Sequence, residues 1–182
     1  NDRIKLTGAN RLWESVIFAV RGILLSDSDS IKYAISGIQD VVVITDSGDG
    51  FYKDGSFIQH DNIPYNCGYG RSLIQELAPM LYTFKDTEFE IKNTDIINTW
   101  VEKSYLPFIY NGRTMDMVRG REISRYYEQS DFACSRILSA MLILTELSEF
   151  DILRSVIKTH LTDSFFEYAS LFAVELAEGL QE

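Results

Sequence analysis

The sequence predicts an all-α fold, built from antiparallel helix pairs and interrupted by one long polar loop. Three observations predict it. Apolar residues recur at three-and-four spacing along most of the chain, no alternating strand pattern stands outside one segment, and glycine gathers where the periodicity stops. Residues 10–25, NRLWESVIFAVRGILL, put Leu12, Val16, Ala19, Val20 and Ile23 on one helical face, with Thr7 and Asn10 as candidate caps. In DSDSIKYAISGIQDVVV, Ser and Asp caps precede Ile31, Ala34, Ile35 and Ile38, and the closing run Val41-Val42-Val43-Ile44 suits a strand equally well. From Thr45 to Gly70 the helical pattern is absent. This stretch reads as one long loop, rich in glycine, with five aromatic residues among Asp and Asn. Loops longer than about fifteen residues are uncommon in compact domains and are usually functional or disordered, and aromatic content argues against disorder. Helical spacing resumes in RSLIQELAPMLYTF and TDIINTWVEKSYLPFIYNG, where Pro79 and Pro107 are each expected to kink or end a helix. A second polar passage, NGRTMDMVRGREISR, carries Arg113, Arg119, Arg121 and Arg125. Three helical stretches close the chain: SDFACSRILSAMLILTELS, EFDILRSVIKTHL and DSFFEYASLFAVELAEGL. Consecutive helices of similar length suit an α-hairpin stack such as a toroid or solenoid, or a compact bundle.

Composition bounds what such a chain does. Its 182 residues fit one ordinary domain, and 46% hydrophobic against 24% charged residues is the mix of a packed soluble chain. A formal charge of −10 opposes general phosphate attraction, which disfavours nucleic acid as a partner. An anion still binds such a chain where several arginines share a cleft. No apolar run reaches the roughly eighteen residues needed to cross a bilayer, so no membrane partner is expected. Cys67 and Cys134 are too few for a disulfide scaffold and lack zinc-ligand spacing, so no metal is expected. The chain opens on Asn1-Asp2-Arg3, as a piece of a longer protein would.

The residues with most chemical content are Asn10 at a helix start, His60 and Tyr69 in the long loop, and the arginines of the second polar passage. Each has a plainer reading as well. Asn10 suits an N-cap, Tyr69 suits packing on the core, and four arginines suit a solvated face. His160, in IKTHLTD at a helix end, reads as structural, bonding the last carbonyls. His60 sits instead between Gln59 and Asp61-Asn62 in a polar setting, where an imidazole titrating near neutral pH is useful. Trp13 and Trp100, at helical spacing in apolar runs, are expected in the core.

Three ordered blocks, TGANR at 7–11, DGFYKDGSFIQHDNIPYNCGYG at 49–70 and MDMVRGREISR at 115–125, resemble polysaccharide lyase family 8, which holds hyaluronate, chondroitin AC and xanthan lyases. The resemblance implies that residues 1–182 are the C-terminal part of an incomplete α/α-toroid catalytic domain. Further helices would precede them and β-sandwich domains would follow. It implies a secreted enzyme acting on an anionic uronate polymer, hyaluronan first with chondroitin and xanthan next, by β-elimination without metal or cofactor. It assigns Asn10, His60, Tyr69 and Arg121 to catalysis, with Arg125 matching the second of the family's two loop arginines. Arg125, Arg113 and Asn62 are then candidates for substrate binding.

Two rival readings remain at this level. A glycoside hydrolase on a similar toroid would use a carboxylate pair such as Asp49 with Asp54 or Asp61. A non-catalytic fragment would keep an anion-binding groove lined by Arg113, Arg121 and Arg125. A calcium loop in DSGDGFYKDG fits less well, since it lacks the terminal bidentate Glu of an EF-hand.

Overall fold

The computed structural model describes residues 6–147, 150 and 153–180. Helices dominate these residues, and the strands are only two or three residues long. No described helix is long and apolar enough to cross a membrane.

Helix α1 (Gly8–Leu25) and α2 (Ser28–Gln39) form an antiparallel hairpin. Arg11 near the start of α1 bonds Asp40 at the end of α2 at 3.2 Å. At the other end Ser26 turns the chain in a left-handed conformation, and the Asp27 carboxylate caps α2 by accepting from the Asp29 and Ser30 amides. The helices meet along Ser15, Ala19 and Gly22 of α1 and Ile31, Ala34, Gly37 and Ile38 of α2, where small side chains admit close approach. A Cβ on Gly22 would lie 2.6 Å from Ile31, and one on Gly37 would lie 2.2 Å from Ser15. This close packing corrects the expected face of α1. Val20 and Ile23 are 45% and 46% exposed because the small-residue strip beside them takes the partner helix. Asn10 is the third residue of α1 and caps nothing. Thr7 holds the N-cap position, but its hydroxyl donates to Asp49 at 2.8 Å.

The expected single loop contains a three-stranded antiparallel meander, β1 (Gly50–Phe51), β2 (Phe57–Gln59) and β3 (Ile63–Pro64). Val41 and Val42 are buried but form no strand, and Ile44 contributes one bridge to Phe51. The meander sits on an aromatic core in which Phe51 stacks on Trp100 at 4.1 Å and meets Phe57 edge-on at 4.7 Å. Asn66 is what makes this packing tolerable for the backbone. Its buried carboxamide accepts from Phe57 N at 3.1 Å and donates to the carbonyls of Gly55 at 2.8 Å and Ser104 at 3.0 Å. Asn66→Leu removes all three bonds and is expected to lower stability by about 3 kcal/mol, read by denaturant unfolding. A loss below about 0.5 kcal/mol would contradict this account.

Helix α3 (Tyr69–Phe84) runs five residues past Pro79, which removes one donor without ending the helix. The next predicted helix is broken. Only α4 (Ile96–Trp100) is α-helical, followed by a π-helical turn at Val101–Tyr105 and a 3-10 turn around Pro107. A tight hairpin then joins β4 (Ile109–Tyr110) to β5 (Arg113–Thr114) through Asn111-Gly112, both at positive φ. Helix α5 (Ser130–Leu144) is buried around most of its circumference, against α3, α6 (Leu153–Lys158), α7 (Asp163–Tyr168) and α8 (Leu171–Gly179). The last predicted helix is two, split at Ala169-Ser170 where Ser170 caps α8. His160 lies in the turn after α6, the helix end expected for it.

Candidate functional site

The site forms where the start of α1, the end of β2, the start of α3 and the turn at Gly120–Ser124 meet. Tyr69 is the first residue of α3 and so belongs to a rigid element, not to the loop expected for it. Arg121 Nη2 donates to Tyr69 Oη at 3.0 Å, with its guanidinium carbon 5.8 Å from the ring centre. Arginine can only donate, so in this bond the phenol oxygen accepts and its own proton is free to face elsewhere. The His60 ring meets Tyr69 edge-on with centroids 5.0 Å apart.

His60 is held there by its surroundings. It and Asp61 both adopt left-handed backbone, at φ 57° and 68°, a conformation that non-glycine residues hold only when the surroundings enforce it. Asp49 enforces it. One carboxylate oxygen accepts from Asp61 N at 3.2 Å, and the other accepts from Gln59 Nε2 at 2.6 Å and Thr7 Oγ1 at 2.8 Å. Gln59 Oε1 in turn accepts from Ala9 N at 3.3 Å, which fastens α1 to the end of β2 and sets Asn10 and His60 beside a bonded pair. Gly8 permits the contact: at φ 52° its Cβ would stand 2.6 Å from Gln59 Oε1. Asn10 is half-buried, one turn before Trp13 on the same face of α1. Trp13 is 38% exposed and its ring lies 5.7 Å from that of Tyr69, so it borders the site and is not in the core. Trp100 is core as expected, at 1% exposure.

Beneath Tyr69 and Arg121, Arg71 Nη2 pairs with Glu122 Oε2 at 3.4 Å, both side chains buried. The pair joins the first turn of α3 to the turn carrying Arg121. Burial pushes the Glu122 carboxyl above its ordinary value although Arg71 pulls the other way. The folded state therefore takes up this proton before the unfolded chain does, and the contribution to stability grows as pH falls through the folded value towards 4.5, the ordinary value for Glu. The stability of the wild type relative to Glu122→Gln is expected to rise over that window in pH-dependent unfolding. A flat difference would rule this out.

The other arginines divide. Arg119 is buried: Nη1 bonds Asp116 at 2.5 Å, and Nη2 donates to the carbonyls of Glu122 and Glu128. It shapes the turn. Arg125 pairs closely with Glu128 and lies 4.0 Å from Glu122. Arg113 is not brought to the cluster. It lines a separate cavity of about 580 Å³ between the β4–β5 hairpin and the start of α7, with Tyr110, Thr162 and Ser164. Asn62 is exposed in the turn after His60, its amide bonded to the His60 carbonyl at 2.9 Å. Cys67 is buried and its thiol is pushed up to about 12 by burial, so no thiolate forms at neutral pH. The roles of Asp49 and Tyr65 (below) and the position of Trp13 had no signal in local spacing, since each depends on partners about 10 to 56 residues away.

The family model of polysaccharide lyase family 8, N-terminal alpha-helical domain, matches residues 1–159. The chain is 32% identical over 188 residues to a xanthan lyase of Bacillus sp. (strain GL1), covering 97% of this chain and 20% of that protein. It is 37% identical over 144 residues to a hyaluronate lyase of Thermasporomyces composti, covering 78% of this chain and 18% of that one. The solved structure of Paenibacillus xanthan lyase superposes with a TM-score of 0.90 at 34% identity, over 97% of this chain and 18% of that chain. Chondroitin AC lyase of Streptomyces coelicolor A3, solved with chondroitin sulphate, superposes with a TM-score of 0.82 at 27% identity, over 96% of this chain and 26% of that chain. The chain thus spans about a fifth of the length of the curated relatives it matches.

Proposed function

The chain belongs to polysaccharide lyase family 8, and from that premise we propose that its parent protein cleaves a uronate-containing polysaccharide by β-elimination, with Asn10, His60, Tyr69 and Arg121 as the catalytic groups. The observation that carries this reading is the Arg121 guanidinium donating to the Tyr69 phenol at 3.0 Å while the His60 ring meets the Tyr69 ring edge-on at 5.0 Å.

The reaction removes the C5 proton of a uronate, forms a C4–C5 double bond and breaks the bond from C4 to the glycosidic oxygen. That proton is weakly acidic because its loss places a second negative charge on the carboxylate. The Asn10 carboxamide, aimed at the carboxylate, stabilises the charge as it develops, an effect of about 3 to 4 kcal/mol in a dry site. Tyr69 accepts the C5 proton, Arg121 stabilises the phenolate that does so, and the same phenol returns the proton to the departing O4. His60 borders the phenol and either assists abstraction or fixes the sugar. Arg125 and Asn62 are proposed as binding groups, Arg125 on the chain just after the turn carrying Arg121 and Asn62 in the turn after His60, whereas Arg113 requires a polymer long enough to reach its separate cavity.

Hyaluronan is the first substrate proposed. Xanthan is the second reading, favoured by a likeness to xanthan lyases that runs over 97% of the chain. The hydrolase reading loses support because Asp49 is committed to Thr7, Gln59 and Asp61, and Asp54 to the amide and hydroxyl of Ser56. We place residues 1–182 within a larger helical catalytic domain, with the remaining chain completing the cleft, and the protein outside the cell, where such polymers occur. The test is near-ultraviolet absorbance of the unsaturated product when the full-length protein meets hyaluronan, chondroitin or xanthan. Reducing ends released without absorbance would mean hydrolysis and end the lyase reading.

A further inference from the structure

Tyr65 is 1% exposed and lies where β2, the start of α3 and the turn carrying Arg121 meet. Its amide donates to the Phe57 carbonyl at 2.8 Å on β2, and its own carbonyl accepts from Gly68 at 3.1 Å and Gly70 at 2.9 Å at the start of α3. Its phenol oxygen accepts from the backbone N–H of Arg121 at 2.9 Å. Its ring meets Tyr69 edge-on at 5.0 Å and His60 at 6.3 Å. The ring fills a slot between two glycines: a Cβ on Gly68 would stand 2.4 Å from it, and one on Gly120, at φ 55°, would stand 2.2 Å from it. Such a slot accepts an aromatic ring only where both flanking residues lack side chains.

We propose that Tyr65 is a positioning residue for the elimination: by holding the Arg121 backbone through its phenol oxygen, it fixes the guanidinium on Tyr69 and sets the rings of Tyr69 and His60 against each other. The proposal rests on the roles given above to Tyr69 and Arg121. A ring serving only as core filler needs no hydroxyl in the slot. Here the hydroxyl reaches the one amide next to the guanidinium that touches the reacting phenol. Loosening that amide lets the Arg121 side chain leave Tyr69 while the aromatic packing stays intact.

Tyr65→Phe keeps the ring and removes only the acceptor. In the full-length protein it is expected to lower kcat about tenfold, the worth of one hydrogen bond, with KM little changed. In an Arg121→Ala background the same change is expected to have no further effect, since the group it positions is gone. Independent, multiplicative losses in the double variant, or an unchanged kcat in Tyr65→Phe, would overturn the proposal. A crystal structure of Tyr65→Phe supplies a readout that needs no turnover: Arg121 is expected beyond hydrogen-bonding distance of Tyr69, and retention of the contact near 3.0 Å overturns the proposal. A wild-type protein inactive on every uronate polymer would defeat the lyase reading instead, and the crystal structure would still decide the positioning.

Discussion

Tyr69→Phe in the full-length protein is expected to lower kcat on its uronate polymer by about 10⁴-fold, because one phenol carries both proton transfers and each general acid or base step contributes about 10²- to 10⁴-fold. The ring remains against Trp13, Tyr65 and His60, at centroid distances of 5.7, 5.0 and 5.0 Å, so packing is preserved and the loss reports the hydroxyl alone. KM is expected to change little, since the phenol acts on the proton in transit more than on the bound sugar. The measurement is the initial rate of absorbance from the unsaturated product. Ordinary turnover by Tyr69→Phe would remove Tyr69 from the chemistry and leave His60 as the candidate base.

Asn10→Ala is expected to cost about 10²- to 10³-fold in kcat, the usual effect of deleting one donor aimed at a developing oxyanion. Asn10 is the third residue of α1, whose start is fastened to β2 by the Gln59 bond to Ala9 at 3.3 Å, so the backbone that carries the truncated side chain is expected to stay in place. Asn10→Asp should be at least as damaging, because it sets a like charge against the uronate carboxylate. Steady-state kinetics on the two variants separates the possibilities: a raised KM with normal kcat would make Asn10 a binding group only.

Much of the helical frame is legible in the sequence, and the exceptions are instructive. Apolar spacing alone places α1, α2, α3 and α5, since a stripe at the helical period has to be buried. It does not say which stripe. In α1 the partner helix takes Ser15, Ala19 and Gly22, leaving Val20 and Ile23 exposed, because small residues allow the closest approach. The meander inside the long loop escaped because its strands are two or three residues long, too short to show alternation. The segment from Ile96 reads as a helix kinked or ended at Pro107, but it changes from α to π already at Val101, before the 3-10 turn around that proline.

What the sequence determined by itself is the helical class, the acidic balance and the identity of the side chains able to do chemistry, all of which depend on residue type and near neighbours. Only the tertiary structure decided which of them meet. Arg121 reaches Tyr69 across 52 positions of chain, while Arg113, from the same polar passage, faces another cavity and Arg119 is buried beneath the turn. Local spacing cannot express such choices, because a contact between distant segments is set by how the helices and the meander pack, and that packing is a property of the whole chain.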